Sequence, residues 1–216
     1  MNLERYIDHA VLKPIQTDID LKNECEIAKK YEVATVCIKP YHVKLAKEYL
    51  KGSVVEVCTV IGFPHGSNST ETKVQEAIEA IIDGATEVDM VINIGKVLQG
   101  DYEYVKNDIQ EVTDTAHSKG VIIKVIFENC YLNDEQKIKL CQLCSDVEVD
   151  YIKTSTGFGS GGATIEDVLL MKKNIYNGVK IKAAGGIKTK KQAEEFIKAG
   201  CQRVGVSATA EILEED

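Results

Sequence analysis

Eight short apolar runs alternate with helical stretches along the whole chain, and that rhythm leaves few folds open. The runs centre on residues 6–11, 35–38, 56–63, 87–94, 122–128, 150–155, 180–185 and 203–208. Between them, periodicity places helices at about 18–31, 41–51, 70–84, 101–118, 133–146, 164–175 and 189–199, with a short one at 209–214. Thr17 or Asp18, Ser69 or Thr70, Asn133, Thr164 and Thr189 stand where N-caps belong. Gly52, Gly84, Gly120, Gly178 and Gly200 fall at or just past helix ends. Strand then helix, repeated eight times at spacings of roughly 25–35 residues, predicts an α/β fold, a (β/α)8 barrel of the TIM type. The runs are short and nearly continuous, as parallel strands covered by helices require. A doubly wound open sheet is the competing architecture. The even count of eight, in a chain of 216 residues near the lower bound for barrels, favours closure. Nothing reads as linker, low-complexity segment or second domain, so residues 1–216 are expected to form one domain.

Composition narrows the function classes. A net charge of −8 argues against nucleic acid or an anionic membrane as partner, since both need clustered positive charge. No apolar stretch approaches the ~20 residues of a membrane span, and MNLERYIDH lacks the apolar core of a signal peptide. The seven cysteines are odd in number and lie inside periodic segments, which argues for a reduced, cytoplasmic protein rather than a disulfide framework. Cys141 and Cys144 form a lone CxxC within a helical pattern and read as small helix side chains. His9, His42, His65 and His117 show no HxH or HxxxH spacing, so no metal is expected.

Ionisable residues interrupt the strands in an orderly way. Side chains alternate faces along a strand. Placing Lys153 inward sends Ile152 and Thr154 toward the helices, and Lys182 inward does the same for Ile181 and Ala183. Asp89, Lys124 and Asp8 fall inward on the same rule, Lys124 together with Ile126 and Glu128. Branched aliphatics usually fill a barrel interior, so this many charges there points to a site. Any one lysine could instead sit at a strand's first residue and reach solvent, as Lys180 is expected to. Lys153 and Lys182 lie mid-run on adjacent strands, each leading into a glycine-rich loop. Two buried ammonium groups repel, so at least one pKa is expected to fall. A neutral amine attacks aldehydes and ketones to form Schiff bases.

Three glycine-bearing loops, TSTGFGSGGAT, AAGGIKT and GVSATAE, follow the sixth, seventh and eighth runs. Their position is the catalytic face of a barrel, and the loops after strands 7 and 8 often hold phosphate. Gly185, Gly186 and Ser207, ahead of the short 209–214 helix, fit a phosphorylated substrate. The GFGSGG run lacks the context of a dinucleotide fingerprint.

IDHAVLKP, CTVIGFPHG, EVDMVINIG, KVIFE, YIKTSTGF and KAAGGI, in that order from about residue 4 to 210, resemble the deoxyribose-phosphate aldolase family. The resemblance implies a class I aldolase on a TIM barrel. Such an enzyme cleaves 2-deoxy-D-ribose 5-phosphate reversibly to acetaldehyde and D-glyceraldehyde 3-phosphate, in deoxyribonucleoside catabolism, with neither metal nor cofactor. It implies Lys153 as the Schiff-base lysine, Lys182 as its perturbing partner and Asp89 as the proton-relay acid. It places Gly157, Gly185, Gly186 and Ser207 at the phosphate, and Asp8 and Lys124 near the substrate hydroxyls. It also implies a homodimer or higher homo-oligomer. Ala10, Ala208, Lys39, Asn129 and the short LEED terminus depart from the family's pattern. A different Schiff-base barrel with a three-carbon donor, and a phosphosugar-binding barrel without turnover, are the alternatives.

Overall fold

The computed structural model describes residues 2–215. The eight strands are β1 (Ile7–Val11), β2 (Thr35–Ile38), β3 (Glu56–Ile61), β4 (Glu87–Val91), β5 (Ile122–Ile126), β6 (Tyr151–Lys153), β7 (Lys180–Ala184) and β8 (Arg203–Val206). They pair in sequence order, and β8 pairs in parallel with β1 to close the barrel. The helices are α1 (Asp18–Tyr31), α2 (Val43–Tyr49), α3 (Thr70–Asp83), α4 (Ile94–Leu98), α5 (Tyr102–His117), α6 (Asp134–Asp146), α7 (Ile165–Asn174), α8 (Lys190–Ala199) and α9 (Thr209–Glu214). Among the described residues, no helix is long and apolar enough to cross a membrane.

Local chemistry accounts for where these elements begin. Thr17, Ser69, Asn133, Thr164 and Thr189 each accept a backbone N–H of the first helical turn. Three of them, Thr17, Asn133 and Thr189, form full capping boxes with Asp20, Gln136 and Gln192. At the other end, α3 stops on Gly84 with φ of 110°, a conformation that side-chain-bearing residues rarely adopt.

The strands are shorter than the apolar runs that announce them. The run 87–94 holds β4 to Val91 and then enters α4, and the run 150–155 holds only Tyr151–Lys153. Apolarity reports burial, not ladder hydrogen bonds. Ile92, Phe127 and Ser155 stay fully buried after the chain has left the sheet. α4 escapes the periodic reading because five residues are too few to show a period. The helix expected at 41–51 opens with a 3-10 turn, Pro40–His42, and ends at Tyr49.

Residues that alternate outward on the strands, such as Val36, Val88, Ile123, Ile152 and Ile181, pack with the helices into one continuous apolar shell. The lumen is different. One small apolar cluster, Cys37, Cys58 and Val60 with Leu12 and Phe63, occupies part of it. Ionisable side chains fill most of the rest.

A second buried charge lies outside the barrel. Lys73 on α3 shares the buried face of that helix with Ala77 and Ala80. Its ammonium donates to Asp108 Oδ2 on α5 at 2.5 Å and to the Val91 carbonyl at 2.9 Å. Thr70 Oγ1 donates to the other Asp108 oxygen at 3.0 Å. Burial pushes the Lys73 pKa down, against the pull of Asp108. Removing one partner of such a pair strands the other. Asp108→Ala should therefore cost ~3–5 kcal/mol in urea unfolding. An apolar double replacement, Lys73→Met with Asp108→Leu, should recover much of that loss. A single variant as stable as wild type would show that the pair does not hold α3 to α5.

Candidate active site

The closed barrel turns alternation into convergence. Lys153 and Lys182 are register partners on β6 and β7, and Asp89 is the partner of Lys124 on β4 and β5. All four side chains point into the lumen and meet at one carboxylate. Asp89 Oδ2 accepts from Lys153 Nζ at 2.8 Å and from Lys182 Nζ at 2.7 Å. Asp89 Oδ1 accepts from Lys124 Nζ at 2.8 Å and from the Cys58 thiol at 3.2 Å. Lys182 also pairs with Asp8, which Arg203 Nη1 holds from below at 2.6 Å. Lys124 pairs with Glu87 at 2.5 Å, and Arg203 Nη2 closes the circuit onto Glu87 at 3.0 Å. Three lysine amines and one guanidinium thus share three carboxylates inside the barrel.

This network decides the ionisation. Burial raises the Asp89 pKa, but Lys124, Lys153 and Lys182 outweigh it and hold the carboxyl well below its usual range. Burial raises Asp8 as well, and Lys182, Lys124 and Arg203 bring it down further. Burial opposes the charge on Lys182, yet Asp8 and Asp89 drive its pKa up, and Asp89 does the same for Lys124. Lys182 is therefore the amine of the pair that stays charged. Two carboxylates in contact with one ammonium outweigh a neighbouring ammonium that shares one of them.

Above this floor lies a cavity of about 270 Å³ at the C-terminal ends of β1, β6, β7 and β8. Lys153, Lys182 and Asp8 form its base, and Gly157, Gly185, Gly186 and Ser207 line its walls. Asp89 and Lys124 are not in its wall; both are fully buried beneath it. Gly185, at φ of 87°, lies 3.0 Å by its carbonyl from the Ala163 N–H. A Cβ on Gly162 would come within 2.3 Å of that carbonyl, so the loops after β6 and β7 touch through bare backbone.

Further residues complete the site. Glu128, in the left-handed conformation after β5, accepts from the Thr156 N–H at 3.0 Å and from the Thr156 hydroxyl. Thr156 Oγ1 in turn accepts from the Phe158 N–H at 3.0 Å. Phe158 meets Phe63 edge-on with centroids 5.4 Å apart, which joins the loops after β3 and β6 over the cavity. Arg203 and Glu87 were not singled out from the sequence. Both lie two residues from an inward position, Gly205 and Asp89, so the period of two could have found them. Cys37, Cys58 and Asp89 are the one grouping of metal-type donors among the described residues. Burial pushes the Cys58 thiol up, whereas the neighbouring Cys58 side chain pulls Cys37 down.

Residues 4–208 match the profile of the DeoC/LacD family aldolase. The chain belongs to this family. Within it, the chain is 53% identical over 216 residues to the deoxyribose-phosphate aldolase of Thermococcus gammatolerans, covering 99% of this chain and 96% of the relative. It is 47% identical over 213 residues to that of Treponema denticola, covering 99% of each. Among solved structures, an aldolase designated QR15 superposes with a TM-score of 0.94 at 39% identity, covering 100% of this chain and 96% of the other. The tetrameric deoxyribose phosphate aldolase of Aeropyrum pernix superposes with a TM-score of 0.91 at 29% identity, covering 98% and 89%. DeoC/LacD membership thus accompanies a barrel whose lumen holds two lysines on one carboxylate.

The ionisation pattern sets the acid and alkaline limits of stability. The native state holds Asp8 and Asp89 below the ordinary carboxylate pKa, so their contribution is complete above about pH 4 and lost as pH falls through the lowered values. Lys182 and Lys124 are raised, so theirs is complete below about pH 10.5 and lost as pH climbs through the raised values. Urea midpoints should place wild type well above Asp89→Asn at neutral pH. The gap should narrow progressively in acid. A gap independent of pH would refute the coupling.

Proposed function

We propose that this chain is a class I aldolase acting on 2-deoxy-D-ribose 5-phosphate, with Lys153 as the Schiff-base nucleophile. The observation that carries this reading is the meeting of two lysines from facing strand positions on one Asp89 oxygen, at the base of a glycine-walled cavity. Nucleophilic attack needs a free amine. Lys182 is clamped between two carboxylates that keep it charged, so the nucleophile's role falls to Lys153. The names of the Thermococcus gammatolerans and Treponema denticola relatives support the substrate.

The chemistry follows from these positions. Lys153 Nζ adds to the C1 aldehyde of the open-chain sugar phosphate and loses a proton toward Asp89. Lys182 donates a proton to the carbinolamine hydroxyl, which leaves as water and gives an iminium. A water activated by the Asp89–Lys182 pair removes the C3 hydroxyl proton. The C2–C3 bond breaks, its electrons flow into the iminium, and D-glyceraldehyde 3-phosphate departs. The enamine is protonated at C2, and hydrolysis returns Lys153 and acetaldehyde. Gly157, Gly185, Gly186 and Ser207 grip the phosphate, and that remote binding orients the reacting carbons. Asp8 and Lys182 face the substrate. Lys124 lies too deep for that, and we assign it to orienting Asp89 rather than to a substrate hydroxyl.

The wider setting is part of the same proposal. Seven free thiols suit a reducing cytoplasm, where deoxyribonucleosides are degraded. Exposed Ile15, Ile19 and Tyr41 near the barrel mouth suit burial against a second copy, as does the tetramer of the Aeropyrum pernix relative.

Two measurements test the reading. Acetaldehyde with borohydride should leave an ethyl adduct on Lys153, and Lys153→Ala should abolish retro-aldol turnover of deoxyribose 5-phosphate. Lys182→Met should lower kcat by ~10²–10⁴-fold while the protein stays folded. A fully active Lys153→Ala enzyme, or an adduct confined to another lysine, would sink the assignment.

A further inference from the structure

We infer that the ammonium of Lys13 is the cationic contact for the substrate's phosphate, an inference that rests on the reading above and names a residue it does not include. Four charged side chains line the cavity: Asp8, Lys13, Lys153 and Lys182. Asp8, Lys153 and Lys182 are tied into the ion pairs of the floor. Among the described residues, the Lys13 ammonium has no ion-pair or hydrogen-bond partner; only its backbone groups are bonded.

Its place around the barrel is the right one. β1 lies beside β8, with His9 opposite Val206, so the loop after β1 borders the segment that carries Ser207. Gly185 and Gly186 lie in the loop after the next strand, β7. The donors those loops bring to the cavity wall are neutral: backbone N–H groups and one hydroxyl. A phosphate monoester carries about −1.5 to −2 charges at neutral pH. The whole chain carries −8, so its long-range field repels such a substrate. An unpaired cation at the cavity wall supplies the compensation that the neutral donors lack.

The loop that presents Lys13 is cross-linked. Lys39, just past β2, donates its ammonium to the Gln16 carbonyl at 2.7 Å and to the Lys13 carbonyl at 3.3 Å. Gln16 Oε1 accepts from the Lys13 N–H at 2.9 Å, and the Gln16 N–H donates back to the Lys13 carbonyl at 3.1 Å. Pro14 restricts the turn further, and the Thr17–Asp20 capping box then starts α1. The side chain is long and exposed, but it springs from a fixed point. Lys39, which stood out in the sequence as atypical, is thereby a positioning residue for Lys13.

The test compares wild type, Lys13→Gln and Lys13→Arg in the full chain. Lys13→Gln should raise KM for deoxyribose 5-phosphate ~10-fold, the low end for one charge-assisted contact, with kcat little changed. Lys13→Arg should restore most of the affinity. Turnover of unphosphorylated 2-deoxyribose should be the same in all three. Added salt should raise KM more steeply in wild type than in Lys13→Gln. Inorganic phosphate, titrated calorimetrically, should bind Lys13→Gln more weakly than wild type whether or not the aldol reaction occurs. A wild type that binds phosphate but does not cleave deoxyribose 5-phosphate would overturn the proposed activity and leave Lys13 standing. Equal phosphate affinity in wild type and Lys13→Gln, or an equal loss on both sugars, would overturn the role of Lys13.

Discussion

One carboxylate organises this barrel. Asp89 receives three ammonium groups and a thiol on its two oxygens, and it comes from β4 while its partners stand on β3, β5, β6 and β7. An isolated carboxylate or ammonium in a closed barrel would be costly to leave charged. Here each ion is solvated by ions of the opposite sign, so the lumen can be charged without being wet. Without Asp89, the charged Lys124 and Lys182 would face each other and Lys153 within a few residues in the register with one carboxylate fewer between them.

The same arrangement separates two amines of identical chemistry. Lys182 touches Asp8 and Asp89, whereas Lys153 touches Asp89 alone and opens onto the cavity. Difference of role thus comes from difference of partners. The rim works by another principle. It is made of backbone, with Gly162 and Gly185 in contact across two loops, Glu128 holding Thr156, and Phe158 resting on Phe63. Charge sits in the floor and shape sits in the walls.

Much of this was legible in the amino-acid sequence because it depends on period and local chemistry. Alternation along EVDMV and YIK assigned Asp89 and Lys153 to the lumen, and Ser69, Asn133 and Thr189 marked helix starts through their side-chain oxygens. A period of two gives the face of a residue, not the atom within 3 Å of it. That distance depends on how the closed barrel staggers its strands, which is why Arg203 and Glu87, the partners of Asp8 and Lys124, passed unnoticed. Lys73 was hidden for a related reason. It sits on the apolar face of α3, and only the packing of α5 brings Asp108 to it. The reaction class was legible through motifs. The depth of Lys124 was not, since burial beneath a cavity floor is a property of three dimensions.

The ring of Asp8, Glu87, Asp89, Lys124, Lys182 and Arg203 has a consequence for laboratory evolution of this scaffold. Under the proposed mechanism, turnover and foldedness share the same handful of side chains, so a library randomised at the floor selects on both at once and yields few survivors. Randomising the turns that follow β1, β6 and β8 alters which molecules enter while the inner lattice of ions stays intact. New donors and acceptors for the carbon–carbon bond should be sought there first.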